Sequence, residues 1–379
     1  MKILYIVDGI NYLGGANVAT SALVVELRKR GFNVDVLTDV EPMVETRIAY
    51  SDVKIFSFKP KRWTFEWLVQ GILKRLLGVY VFPNWTIDPT GEIRKLMGGY
   101  DCVCVMSELS KFKKLVASFK SGVRKVQLIH SDYFQMQKVD RYAKAVCKKD
   151  LHIFANVDVI GVVGEYNASR MANRFPQFAG KIKYFYNYIP SLTIQKPVTH
   201  SGEVMKLVSA ISFDSVAKDP SRLVRMAIRL LQTGHSLDWT IYGDGASRKE
   251  LEQEVQRCGL QNAIHLPGIN LNLRSALPEF DLLVLLSHYE GLPMVIYEAL
   301  IAGVPVAATD VGDIRCQLRD GKLGWLLKDD EESIYAGLSE ILTSSGKIDE
   351  VKAKLKSYDY DNESVIKQHL KILGATNVK

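Results

Sequence analysis

Short apolar runs alternate with stretches of helical periodicity along most of the chain. Residues 2–8 (KILYIVD) form the first run, Gly9, Gly14 and Gly15 follow it, and a helical pattern then extends from Val18 to Arg30, where Gly31 stops it. Residues 32–38 (FNVDVLT) alternate as a strand. Glycines at the handover from strand to helix suit a β-loop-α-β unit of the doubly wound type. Further strands are expected at 53–58, 101–106, 125–130 and 159–163. The stretch 190–204 (PSLTIQKPVTHSGEV) is polar, carries two prolines and has the composition of a linker. A second α/β series begins after it. Strands are expected at 205–211, 237–243, 263–267, 280–287, 305–309 and 325–327, and helices at 220–234, 247–258 and 293–302. Strand and helix alternate throughout, so both sheets should be parallel, with ligands gathering at the carboxyl ends of their strands.

With 379 residues and 47% apolar content, the chain is too long for one ordinary core and suits two domains of about 150–200 residues. Residues 2–8 read as a strand and lack the features of a secretory signal. The longest apolar stretches are broken by charges short of the ~18 residues that a membrane-spanning helix needs. The five cysteines (Cys102, Cys104, Cys147, Cys258, Cys316) form no Cys-x-x-Cys pair, which points to reduced thiols in a cytosolic protein, at most peripheral on the inner face of the cell membrane. Charge is divided unevenly. Residues 1–200 hold 29 Lys and Arg against 17 Asp and Glu, whereas 201–379 hold 20 against 25. The basic half should face something acidic: nucleic acid, anionic lipid or a phosphorylated acceptor.

The most informative chemistry lies in 290–298 (EGLPMVIYE). A buried strand leads into a turn, Pro293 stands near a helix start, and Glu298 lies inside that helix. Free amides and the helix dipole at such a start favour a phosphate, and carboxylates accept hydrogen bonds from sugar hydroxyls. A phosphorylated sugar needs both. Taken alone, the two acids also fit a helix cap and a wet helix face.

The surrounding blocks narrow that choice. Residues 281–293 (DLLVLLSHYEGLP), 298–312 (EALIAGVPVAATDVG) and 324–327 (GWLL), with 241–245 (IYGDG) and 264–268 (IHLPG) upstream, resemble the nucleotide-binding signature of family 4 retaining glycosyltransferases, closely over about 205–330. The resemblance implies a GT-B fold: two Rossmann-like α/β domains with parallel sheets facing across a cleft. Residues 1–190 would be the acceptor domain, completed by a crossover helix at about 358–379, with 191–204 the linker and 205–357 the nucleotide-sugar domain. It implies that Glu290 holds the donor sugar's hydroxyls and Glu298 the ribose. The amides of Gly291, Leu292 and Met294 would meet the β-phosphate or sugar, and Gly243, Leu266 and Gly268 would lie at the nucleotide, the base near 266–268. Lys218 matches the family's diphosphate lysine. The companion Arg is absent, with Ala210, Ile211 or Ser212 in its place, so either Lys218 acts alone or Arg222 or Arg225 leans in. Gly14 and Gly15 match the glycine pair that approaches the diphosphate, although Asn17 replaces the usual Glu. His130, at a strand end, is the second catalytic candidate beside Glu290 and Lys218, and Asn187 matches a strand-end residue near the hinge.

The function so implied is retaining transfer of a hexosyl or N-acetylhexosaminyl group, from a UDP-sugar for preference, to a glycan or lipid-linked acceptor in surface polysaccharide or lipopolysaccharide assembly. No paired acids suggest a covalent nucleophile, and no Asp-x-Asp pair suggests a metal; neither metal nor cofactor is expected. The alternatives are an epimerase or hydrolase on the same fold, or a non-catalytic sugar-nucleotide-binding subunit. Nucleic acid is not an expected partner, since no recognition motif accompanies the charge. Residues 59–77 (KPKRWTFEWLVQGILKRLL) mix five basic residues with aromatics, as an interfacial membrane segment would or as a core helix with wet charges would.

Overall fold

The computed structural model describes residues 1–11, 14–58, 90–119, 122–190, 204–214 and 216–375. The segment 59–77 therefore lies outside the described residues. The chain divides into two compact units, Met1–Pro190 with Asn362–Lys379, and Ser191–Asp361.

The first unit is built on a parallel sheet in the order β3-β2-β1-β4-β5-β6-β7. Its strands are β1 (Lys2–Ile6), β2 (Asn33–Thr38), β3 (Lys54–Ser57), β4 (Cys102–Val105), β5 (Arg124–Ile129), β6 (Val159–Val163) and β7 (Ile182–Phe185). β1 pairs with both β2 and β4, so the strand order reverses there. The helix Gly15–Lys29 follows β1 directly and buries Ala19, Leu23, Val24 and Leu27, a spacing of three and four residues that lays one apolar stripe on the sheet. Leu4, Ile6, Leu37, Val103 and Val105 meet Ile93, Met97, Phe112 and Val116 in a core on one face. The hydrophobic pattern did not mark β7, an edge strand whose middle residues, Lys183 and Tyr184, are exposed.

The C-terminal helix Asn362–Leu373 belongs to this first unit, starting four residues later than the sequence suggests. Tyr358 and Tyr360 pack instead in the second unit, under Arg319 and against Tyr297. Asn362 seals the junction by accepting from the Ile189 amide at 3.1 Å and donating to the Ile189 carbonyl at 2.6 Å. Further along, His369 bonds the Tyr186 carbonyl at 2.9 Å and packs on Phe185, whose other side meets His130 at 5.0 Å.

Burial holds both imidazoles far below the usual histidine value, His369 at about 4 and His130, with a further push from His369, at about 3. The folded state thus refuses protons that the unfolded chain accepts below about pH 6.5, and stability is lost as pH falls through that range. Asp8, raised by burial to about 6, acts in the opposite sense between about pH 6 and 4 and offsets part of the loss. His369→Gln, which keeps a donor for the Tyr186 carbonyl, should remove about 2 kcal/mol of the stability lost between pH 7 and 5. Urea unfolding at the two pH values reads this directly, and an unchanged acid limb would contradict it.

The second unit repeats the plan with strands β8 (Met205–Ala210), β9 (Leu237–Tyr242), β10 (Ile264–Gly268), β11 (Leu282–Leu285), β12 (Val306–Thr309) and β13 (Gly324–Leu327). They are parallel in the order β10-β9-β8-β11-β12-β13. β11 and β12 are buried throughout, as the unbroken apolar sequence of β11 and the small residues of β12 suit. The buried Trp239 indole donates to Ser209 Oγ at 3.0 Å, and that hydroxyl donates to the Val284 carbonyl at 2.6 Å, which satisfies both side chains. Asp219, whose side chain accepts from the Arg222 amide, caps the helix Pro220–Gln232, and Pro220 starts it.

Candidate active site

In the second sheet the order reverses between β8 and β11, since the chain runs outward to β9 and β10 on one side and to β12 and β13 on the other. Ligands of open parallel sheets bind outside the strand ends at such a switch point. Lys218 follows β8 and Glu290 follows β11, so the two flanking strands each deliver one of the residues singled out from sequence. Their side chains form an ion pair. Glu290 is 6% exposed and also accepts from Ser287 Oγ at 2.7 Å, while Lys218 keeps a quarter of its side chain open.

Neighbouring backbone fixes the geometry. The His288 amide donates to the Ala217 carbonyl at 2.8 Å, joining the two loops, and Thr309 Oγ1 donates to the Ser287 carbonyl at 2.5 Å. Gln317 Nε2 holds the Pro293 carbonyl at 3.0 Å. Gly312, at φ +57, passes so close that a Cβ there would lie 2.1 Å from the Glu290 carbonyl oxygen. The loop 286–293 is therefore clamped by the segment that follows β12. It leads into the helix Met294–Ile301, whose N-cap is Pro293 and has no side-chain cap bond. The first-turn amides of a helix have no partner within it and suit an anion.

Glu298 lies in that helix, 9% exposed, and pairs with Arg274 Nε at 2.8 Å. Arg274, on the one-turn helix Leu273–Ala276, was not singled out from sequence; nothing in its local pattern distinguishes it. Leu266 and Gly268 sit at the irregular end of β10, where the pairing with β9 shifts register. Arg248 Nη2 donates to the Leu266 carbonyl at 2.7 Å, and the Gly243 amide donates to the Gly268 carbonyl at 2.9 Å. Gly243 is itself obligatory, since a Cβ there would lie 2.0 Å from the Ile211 carbonyl oxygen.

The two arginines considered as substitutes for the missing diphosphate Arg are both engaged elsewhere. Arg222, 2% exposed, pairs with Asp329 and donates to the Leu286 carbonyl at 3.2 Å. Arg225 pairs with Glu331 at 2.6 Å and with Asp219 at 3.6 Å. His288 stands between Asp219 (3.3 Å) and Asp329 (3.2 Å), so a network of opposite charges surrounds the base of the Lys218 loop. Asp219 itself adopts φ +36, a left-handed conformation that a side chain tolerates only when its surroundings hold it.

The remaining candidates, His130 with Gly14 and Gly15, belong to the first unit. Gly14 is the N-cap of the helix after β1, at the reversal of that sheet. His130 directly follows β5, and its amide donates to Glu108 at 3.1 Å. Its ring nitrogens are buried without a hydrogen-bond partner beside a cavity of about 10 Å³ lined by Tyr5, Thr20, Asn187 and His369. Asn187 thus shares a pocket with His130.

The architecture is that of the GT-B glycosyltransferases. Staphylococcus aureus TarM, crystallised with fondaparinux, alpha-GlcNAc-glycerol and UDP, superimposes with a TM-score of 0.75 at 14% identity, covering 98% of this chain and 100% of that one. Anabaena HepE in complex with UDP and glucose gives 0.74 at 18% identity, covering 99% and 100%. Residues 195–361, which fall almost wholly in the second unit, match the family described as Glycosyl transferases group 1. Among curated relatives, the Salmonella typhi Vi polysaccharide biosynthesis protein VipC/TviE is 31% identical over 112 residues, 30% of this chain and 19% of that protein. The poly(ribitol-phosphate) alpha-N-acetylglucosaminyltransferase of Staphylococcus aureus is 23% identical over 235 residues, 60% of this chain and 45% of that one. The matches thus span less than half the length of either relative.

Proposed function

We propose that this chain is a retaining glycosyltransferase that moves a hexosyl or N-acetylhexosaminyl group from a nucleotide sugar, a UDP-sugar for preference, to a glycan or lipid-linked acceptor of a surface polysaccharide. The observation that carries this reading is the Lys218–Glu290 pair, delivered by the two strands at the switch point of a glycosyl transferases group 1 domain. The preference for UDP draws on the ligands of TarM and HepE. Retention and an α-linkage draw on the resemblance to family 4, and on the alpha-linked product in the name of the Staphylococcus aureus relative.

In this mechanism Lys218 and the amides at the start of the helix Met294–Ile301 take up the negative charge that grows on the departing diphosphate. Glu290 then exchanges part of its contact with Lys218 for the donor sugar's hydroxyls. The acceptor hydroxyl attacks from the face the diphosphate leaves, and a diphosphate oxygen receives its proton. Fixed charges aimed at the leaving group and an aligned acceptor supply the acceleration, without a covalent intermediate or a metal. With Arg222 and Arg225 held in other ion pairs, Lys218 supplies the side-chain cation at the diphosphate among the described residues considered for it. His130, whose ring nitrogens are buried in the first unit, is kept neutral by that burial.

Glu298 binds the ribose, and Arg274 orients it. Arg274→Ala should raise the donor KM roughly tenfold through the unpaired buried carboxylate, with a smaller change in kcat. It should also narrow the preference for a ribose donor over its 2′-deoxy analogue, a readout that general destabilisation would not move. Titration calorimetry with UDP tests donor binding directly. Binding that Glu298→Ala weakens supports the assignment; the same affinity in that variant would remove it.

A further inference from the structure

The chain linking β5 to β6 in the first unit has two contrasting faces. Met136, Ala143, Cys147 and Ile153 point inward and are buried, which fixes the three short helices Tyr133–Val139, Arg141–Cys147 and Asp150–Asn156 on the unit. Outward, Lys138, Arg141, Lys144, Lys148 and Lys149 are all exposed. Large apolar side chains are interleaved with them: Val139 is 48% exposed, Tyr142 41% and Leu151 52%. Neither acid of this stretch answers the cations. Asp140 spends its carboxylate on the amides of Tyr142 and Ala143, and Asp150, 2% exposed, is paired with Lys113 at 2.6 Å and bonded by the Tyr133 hydroxyl at 3.1 Å.

A surface of five exposed cations and three exposed apolar residues, with the half-buried Asp140 as the one acid among them not shut inside the unit, is complementary to a partner that is anionic and apolar at once. Phosphates of a nucleic acid would meet the lysines but would leave Val139 and Leu151 in water. A lipid surface takes both, with ammonium groups at the headgroups and aliphatic side chains at the acyl boundary. We propose that the outer face of residues 138–152 docks the first unit on an anionic lipid surface. No helix among the described residues is long and apolar enough to cross a membrane. The docking stands whether or not the chain transfers sugar.

The test is co-sedimentation of the full chain with phosphatidylcholine vesicles that do or do not contain phosphatidylglycerol. Binding should require phosphatidylglycerol and weaken with salt. Each basic residue near such a surface strengthens partitioning about fivefold. A Lys144→Gln/Lys148→Gln/Lys149→Gln variant should therefore bind about a hundredfold more weakly. Val139→Ser/Leu151→Ser should also weaken binding while leaving every charge in place. Unfolding curves that match the parent establish that both variants are folded. Unchanged vesicle binding by the triple variant would overturn the proposal, as would loss of binding only on charge reversal at Lys59, Lys61 and Arg62. Binding to double-stranded DNA that the triple variant loses and the apolar variant keeps, without vesicle binding by the parent, would assign the surface to nucleic acid instead.

Discussion

Lys218→Ala should lower the rate of sugar transfer by about two to three orders of magnitude, the loss expected when one preorganised charge opposite a developing anion is removed. The effect is expected to be large because Arg222 and Arg225, the two arginines of the following helix, are committed to Asp329, Glu331 and Asp219. The substitution also strands Glu290, which is buried and otherwise receives the Ser287 hydroxyl. Pairing it with Glu290→Gln separates the two consequences. If Lys218 acted only as the partner of Glu290, the double variant would be no slower than Glu290→Gln alone. If it acts on the diphosphate, the double variant is markedly slower than Glu290→Gln alone. Residues in direct contact couple, so the cycle must be read as non-additive. Steady-state kinetics on purified variants, with UDP affinity measured alongside, distinguishes the two.

Gly312→Ala should damage the second unit's site through a single methyl group. The new carbon would lie 2.1 Å from the Glu290 carbonyl oxygen and 3.3 Å from that of Gly291, and both contacts are backbone. Neither can swing aside as a side chain would. The left-handed φ of +57 adds strain of its own, so a cost of roughly 3 kcal/mol is expected. Relief requires the loop 286–293 to retreat, which carries Glu290 and the start of the helix Met294–Ile301 with it. Donor affinity should fall together with the urea midpoint of the second unit. A variant with parental stability and parental UDP binding would show that the clamp on this loop is loose.

Much of the second unit was legible because its strands are short apolar runs bounded by glycine and proline, and its site residues follow those strands at fixed spacing. Glu290 and Lys218 could be placed at the switch point of the sheet because each follows a recognisable strand; their place at a donor is what the family resemblance implies. What escaped were contacts made across loops. Arg274 and Glu298 lie 24 residues apart with nothing local to link them, and Arg248 reaches the Leu266 carbonyl from a helix that otherwise reads as an exposed, charged one. The seat of His130 depends on His369, which the C-terminal helix brings back from the far end of the sequence. β7 escaped for a simpler reason: two exposed residues in a four-residue edge strand break the alternation on which a strand is recognised.

Donor turnover is the most direct measurement. The protein would be incubated with a panel of UDP- and GDP-sugars, with and without lipid-linked and glycan acceptors, while nucleoside diphosphate release is followed and the anomeric configuration of any product is assigned by NMR. Retaining transfer predicts acceptor-dependent release from a UDP-sugar, an α-linked product, and loss of turnover in Glu290→Ala. Donor binding without turnover, indifferent to Glu290→Ala, would contradict it.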